Sequence, residues 1–183
     1  MRLAQAMLEV FTAAGVEAGV RHLYELLLSP CRGCGRCRTA DSGFPESLCP
    51  LSDAAPGLIR EVSEANFLLL ASPLHFTSLT APAIAFFSRL QPFWQAKKWP
   101  AGPLSRLPRL AALALTAGSE YPGMFRPARS VAAAAFSTLA FPFAGMTAAA
   151  GTDRVAAADN LRALAAAARL ARKMLQGLRS HFA

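Results

Sequence analysis

The sequence has no glycine-rich dinucleotide fingerprint, and no side chain stands out as a covalent catalyst. Neither a nicotinamide site nor a covalent mechanism can therefore be read from a motif. It is short of acid, with 11 Asp and Glu against 19 Lys and Arg, a net charge of +8 and a pI near 10.2. The basic residues are scattered from Arg2 to Arg179, with no aromatic-interleaved run, which argues against nucleic acid and for affinity toward anionic ligands. Arg162, Arg169, Arg172, Lys173 and Arg179 share one C-terminal helical stretch and read as its solvated face. An apolar signal-peptide core is also missing, because Gln5 and Glu9 interrupt "MRLAQAMLEVFTAAG". A cytoplasmic, reducing setting is expected, which disfavours disulfides. Two stretches, Ala65–Ser88 and Ser130–Thr152, carry no charge and are long enough for a bilayer. Proline, hydroxyl residues and alanine in them favour strand–turn–helix units of a buried core over membrane spans.

What remains is a chain of 183 residues, 54% hydrophobic, enough for one domain over 1–183 with a real core. Leu3, Met7, Val10, Phe11 and Ala14 place a helical face over residues 2–14, stopped at Gly15. "GVRHLYEL" (19–26) has strand character and would pack His22. Ser52 or Asp53 can cap a helix from Pro56 to about Glu64. "NFLLLASP" (66–73) suits a strand buried on both faces, and a helix capped by Ser78 or Thr80 follows through "APAIAFFSRL". Residues 91–108 hold four prolines and read as a loop, with Trp94, Lys97, Lys98 and Trp99 covering a pocket or anchoring the loop. "RLAALALTAG" (109–118) reads as a strand, the segment after Pro127 as a helix, and "FPFAGMTAAAG" as the last strand. The closing helix has Asp159 as its cap and Leu161, Leu164, Ala168, Leu175 and Leu178 inward; Gly177 lies near its stop and His181 in a frayed tail. No internal repeat is present. Alternating strands and helices predict an α/β fold, an open parallel sheet with helices on both faces.

All four cysteines lie in one insertion, residues 30–50. Cys31, Cys34 and Cys37 form C-x2-C-x2-C among Arg32, Arg36 and Arg38, and Cys49 follows after eleven residues. Three thiols at that pitch can hold a corner of a [4Fe–4S] cluster, with Cys49 as the fourth ligand. The same donors suit tetrahedral zinc, and four free thiols is the third reading. Two strand ends carry the other chemistry, because ligands of open parallel sheets bind outside the carboxyl ends of the strands. In "SPLHFTSLT" (72–80), small and hydroxyl residues admit a planar ligand, while His75 and Phe76 offer ring surface. In "TAGSEYPG" (116–123), Gly118 permits close approach and Tyr121 could cover a ring.

Taken in order, "SPCRGCGRC", "EANFLLLASPLHFTSLTAPAIAFFSRL" and "LAALALTAG" resemble the NAD(P)H-dependent FMN reductase family, and within it the iron–sulfur flavoprotein branch. The resemblance spans about residues 1–177 and implies a flavodoxin-like, doubly wound parallel sheet. It implies FMN as cofactor and a [4Fe–4S] cluster at the thiols. It also implies NAD(P)H or a redox protein as electron donor, and a homodimer. Ser72, Pro73, Leu74, His75, Phe76 and Thr77 would line the flavin ring edge through backbone groups, opposed by Thr116, Ala117, Gly118 and Ser119. Arg89 matches the arginine that ends the family's third helix. His75, Ile84 and Ser88 depart from the family's Tyr, Lys and Asp. The family's first strand and phosphate-binding loop have no counterpart before the first helix, so FMN affinity is expected to be weak or absent. The competing reading is a flavin-free domain acting through a cysteine–zinc site or an interaction surface.

Overall fold

A computed structural model describes residues 2–39, 48–96 and 108–182. Three parallel strands, β1 (Phe67–Pro73), β2 (Leu110–Thr116) and β3 (Phe143–Ala149), lie in the order β1–β2–β3. Six helices accompany them: α1 (Arg2–Ala13), α2 (Ala55–Glu64), α3 (Ala81–Ser88), α4 (Gln91–Ala96), α5 (Arg126–Thr138) and α6 (Leu161–Phe182). Among the described residues no helix is long and apolar enough to cross a membrane.

Side-chain size decides how the two faces of the sheet are covered. From β2, Leu113 and Leu115 enter a cluster with Leu58, Ile59 and Val62 of α2, Phe86 of α3, Phe93 of α4 and Phe136 of α5. Ala112 and Ala114 point to the other face, against Met7 and Phe11 of α1 and Ala163, Ala167, Ala171 and Met174 of α6. Small residues there let the helix backbones approach the sheet closely. Phe11 stacks on Phe67 with ring centroids 4.7 Å apart, which holds α1 to β1. At a register shift between Ala111 and Ala112, Gly145 has φ +152°, and a Cβ there would lie 3.0 Å from Leu170.

Several expectations need correction. Residues 19–26 form no strand: only a 3-10 turn, Leu23–Glu25, is regular there, and His22 is exposed rather than packed. No described strand lies beside it to complete a ladder. For the same reason β1 is the sheet edge, with Phe67–Leu70 half-buried rather than fully covered. The loop at 91–108 begins as α4, because Pro92 sits in the first turn, where its missing N–H costs nothing. Trp94 on α4 is exposed, and Lys97, Lys98 and Trp99 lie outside the described residues. In α1, Leu3, Met7 and Phe11 are buried as expected, whereas Ala14 beyond its end is exposed. Asn160, not Asp159, caps α6 by accepting from the Ala163 N–H at 3.0 Å. The inward stripe of α6 is Ala163, Ala167, Ala171, Met174 and Leu178; Leu161 is 77% exposed. Gly177 does not stop α6, which runs through His181 to Phe182. Instead it packs on Leu110, and a Cβ would come within 3.2 Å of that side chain.

Two arginines are buried. Arg109, at the start of β2, donates to the carbonyls of Ser63 and Leu139, at the carboxyl ends of α2 and α5. Its guanidinium lies 4.9 Å from the centre of the Phe141 ring, and burial lowers its pKa. Helix carbonyl ends are the negative poles of their dipoles, so they supply the partner that no carboxylate provides. Arg89, directly after α3, pairs with Asp53, and their side chains are 1% and 2% exposed.

Removing one member of a buried pair strands the other's charge, which costs roughly 3–5 kcal/mol, whereas replacing both with apolar residues is near neutral. Arg89→Met is therefore expected to lower unfolding stability in urea by about 3–5 kcal/mol, and Arg89→Met/Asp53→Leu to recover most of it. Burial pushes the Asp53 carboxyl up, but hydrogen bonds from Arg89, Ser29 and Ala55 outweigh it and hold it below its ordinary 3.8. With a depressed folded pKa, the pair's contribution is present at neutral pH and is lost as the solution is acidified below that ordinary value. The double variant should lack this acid-side loss.

Candidate functional site

Each strand hands the chain to a helix at its carboxyl end, so the loops after β1, β2 and β3 gather on one edge with the amino ends of α3, α5 and α6. Positive helix ends and free backbone groups on that edge favour an anionic, planar ligand. The loops are stitched together. The Leu74 N–H donates to the Thr116 carbonyl at 2.8 Å, the Ala117 N–H to Ala149 at 2.9 Å, and the Gly151 N–H to Ser119 at 3.1 Å. Ser72 is buried; its hydroxyl donates to the Pro73 carbonyl at 2.8 Å and accepts from the Thr80 N–H at 3.2 Å. That second bond ties the first loop to the start of α3, so Thr80 takes part through its backbone and makes no side-chain cap.

The first loop ends in a strained reversal. His75 and Ser78 exchange N–H···O bonds of 3.0 and 2.9 Å, and the residues between them, Phe76 and Thr77, have φ of +51° and +63°. Both central residues at positive φ make a type I′ turn, which favours Asn-Gly. A bulky aromatic followed by a β-branched threonine is an outlier there, costing about 1–2 kcal/mol per residue. Phe76 gains no burial in return, being fully exposed at 102%. Strain without packing reward is characteristic of a site shaped for a ligand. His75 is also exposed, and its backbone closes this turn with Ser78.

In the second loop Gly118 is required by a neighbour. The carboxylate of Asp153, from the loop after β3, lies against it, and a Cβ would come within 2.4 Å of an Asp153 oxygen. Tyr121 is half-exposed at the rim. The structure thus brings Ser72, Pro73, Leu74, Thr116, Ala117, Gly118 and Ser119 together in joined loops at one edge of the sheet, with His75, Phe76 and Thr77 in the first loop and Tyr121 in the second. Sequence reasoning missed Asp153, since nothing in "GTDR" marks a carboxylate that folds back over the preceding strand's loop.

The thiol segment lies at the other end of α3. Gly33 and Gly35 turn the chain at φ +67° and +75°, and the Gly33 N–H approaches the Cys31 sulfur at 3.4 Å. A 3-10 turn, Arg36–Arg38, then carries Cys37. Burial pushes the Cys37 thiol up, a backbone hydrogen bond opposes that, and the charges of Cys31, Cys34 and Cys49 raise it further. All four cysteines therefore share one neighbourhood, although residues 40–47 of the connection lie outside the described residues. The four are free thiols. Their donor type suits a thiophilic centre, but among the described residues no three donors are arranged to hold a metal ion, so the arrangement does not fit one.

The Arg89–Asp53 pair ties together two stretches that flank the cysteines. Asp53 accepts from the Ser29 N–H at 2.9 Å and from the Ala55 N–H at 3.0 Å. Arg89 donates to the carbonyls of Ser29 at 3.0 Å and Leu51 at 3.5 Å, and the Ser88 hydroxyl accepts from the Cys31 N–H at 2.8 Å. Both limbs of the cysteine loop are thereby fixed to the end of α3. Burial lowers the Arg89 pKa, but Asp53 and the adjacent Cys49 outweigh it and raise it overall.

A sequence model of the NADPH-dependent FMN reductase family matches residues 1–168. An iron–sulfur flavoprotein of Methanocaldococcus jannaschii is 27% identical over 90 residues, 49% of this chain and 44% of that one. One of Archaeoglobus fulgidus is 27% identical over 92 residues, 50% and 39% of the two chains. The matches thus span less than half the length of these curated relatives. Among solved structures, an azoreductase from Bacillus anthracis superposes with a TM-score of 0.70 at 19% identity, covering 94% of this chain and 90% of that one. A flavone reductase superposes at 0.67 and 11% identity, covering 95% and 58%. An FMN-dependent NADH-azoreductase from Bacillus anthracis, in complex with FMN, superposes at 0.62 and 12% identity, covering 97% and 90%. These likenesses establish a flavodoxin-like α/β fold, and with the family match over most of its length the chain belongs to the NADPH-dependent FMN reductase family.

Proposed function

We propose that this chain, as one domain, binds FMN with its ring in the crevice between residues 72–77 and 116–119. It would serve there in electron transfer from NAD(P)H or a reduced protein, with Cys31, Cys34, Cys37 and Cys49 as ligands of a [4Fe–4S] cluster. The observation that carries the reading is the stitched edge itself, where Leu74 N–H and Thr116 carbonyl join two loops beside a strained aromatic turn. FMN supplies two-electron chemistry when bound and a cluster one-electron chemistry; the chain's part is placement. Ser72, held by Pro73 and Thr80, fixes the loop geometry, and Phe76 offers an unpacked ring face. Asp153, pressed on Gly118, presents a carboxylate beside the second loop, where it can accept from a ring N–H.

Titration of FMN with the purified chain, followed by quenching of flavin fluorescence, should give saturable one-to-one binding. Anaerobic reconstitution with iron and sulfide should give a brown product with four irons per chain. A protein that stays colourless and takes up neither FMN nor iron overturns the proposal and favours the cysteine–zinc or interaction module. Phe76→Asn/Thr77→Gly relaxes the turn, and is expected to raise stability by about 1–2 kcal/mol while weakening FMN binding. Unchanged FMN affinity in that variant would remove Phe76 from the site.

A further inference from the structure

Away from the strand ends and the cysteines, the outer face of α1 meets α6 along an open groove of about 950 Å3. Its floor is apolar. Ala6 and Val10 of α1 and Leu164 and Leu175 of α6 line it half-buried, packed below on the cluster of Met7, Phe11 and Met174 and open to solvent above. Four lining residues are charged, Arg2 and Arg172 against Glu9 and Asp159, so the groove has no net charge in a chain whose net charge is +8. All four are exposed, and none of them forms an ion pair among the described residues. Copies of a strongly basic protein repel one another over most of their surface, and a neutral apolar face is where two of them can meet. An acidic partner would be drawn instead to Arg162, Arg169 and Lys173, which are exposed on α6 outside the groove.

The order of charge along α1 is also self-complementary. Arg2 and Glu9 lie two turns apart on one side of the helix, about 10 Å along its axis, with Gln5 and Ala6 at the midpoint. Two such helices laid antiparallel about a two-fold axis through that midpoint bring Arg2 of one protomer opposite Glu9 of the partner subunit, and the symmetry makes the contact twice. We propose that this α1–α6 face is the contact between two copies of the chain, with the α1 helices antiparallel and two reciprocal Arg2–Glu9 pairs fixing their register. The apolar floor supplies the affinity and the charges supply the register. The inference is independent of the flavin and thiol readings.

Sedimentation equilibrium of the full chain, run across the micromolar range, tests it and should show monomer and dimer in exchange. Arg2→Glu and Glu9→Arg change exposed helix positions and should leave the far-ultraviolet circular dichroism as in the wild type. Each turns two attractive contacts into two repulsive ones, which should raise the dimer dissociation constant about 10–100-fold. Mixed in equal amounts, the two variants carry opposite charges along α1 and should recover near wild-type association as a heterodimer. Arg2→Glu/Glu9→Arg in one chain should dimerise with itself. A wild type that stays monomeric overturns the proposal. Single variants that associate as tightly as the wild type, or that fail to recover on mixing, overturn it as well, because either result moves the contact off this face or out of this register.

Discussion

The buried contact between Arg89 and Asp53 is the constraint on which the arrangement of the two candidate sites depends. A charge pair with side chains only 1% and 2% exposed gains little stability over an apolar pair, because desolvation cancels most of the attraction. Its value here is geometric. Hydrogen bonds radiating from the pair reach Ser29, Leu51 and Ala55, so a cysteine-rich loop with little core of its own is fixed to the folded body.

Through that contact α3 becomes the element shared by both sites. Its first turn is tied to the crevice by the bond between the Thr80 N–H and Ser72, and its last turn to the thiols by Ser88 and Arg89. Eight helical residues span about 12 Å. The hydrophobic packing of Ala83 and Phe86 under α3 keeps that bar in place. The loop after β1 and the cysteine segment are thus held at a fixed separation by secondary structure.

The sheet and most helices were legible because apolar runs and capping residues are local signals. Runs such as "FLLLAS" and "LAALALT" read as strands, the second buried and the first half-buried at the sheet edge. The failures came from facts that live between elements. Residues 19–26 have strand propensity, but a strand needs a neighbour, and none of the described ones lies alongside. On α6, Leu178 is buried as expected and Leu164 and Leu175 pack at the edge of the cluster, but Leu161 is exposed and close approach to Ala112 and Ala114 puts Ala163, Ala167, Ala171 and Met174 innermost. Pro92 was read as a breaker although the first helical turn tolerates it. At the candidate site, the sequence marked both loops by their small and hydroxyl residues, and the bond from the Leu74 N–H to the Thr116 carbonyl shows that they adjoin. Asp53 was recognised only as a helix cap, because its second partner lies 36 residues away in sequence. Asp153 carried no signal at all, and neither did the bonds from Arg89 to Ser29 and Leu51, which join positions 60 and 38 residues apart.

The central claim is that one ion pair holds both limbs of the thiol loop onto α3, and native-state amide hydrogen exchange tests it most directly. The Ser29 amide is bonded to Asp53 itself, whereas the Cys31 amide is bonded to the hydroxyl of Ser88, the residue before Arg89. In Asp53→Asn the account predicts that both amides lose protection together, while the amides of β2 exchange as in the wild type. Loss of protection at Ser29 alone, with Cys31 unchanged, would contradict it and show that the loop is anchored without the Arg89–Asp53 pair.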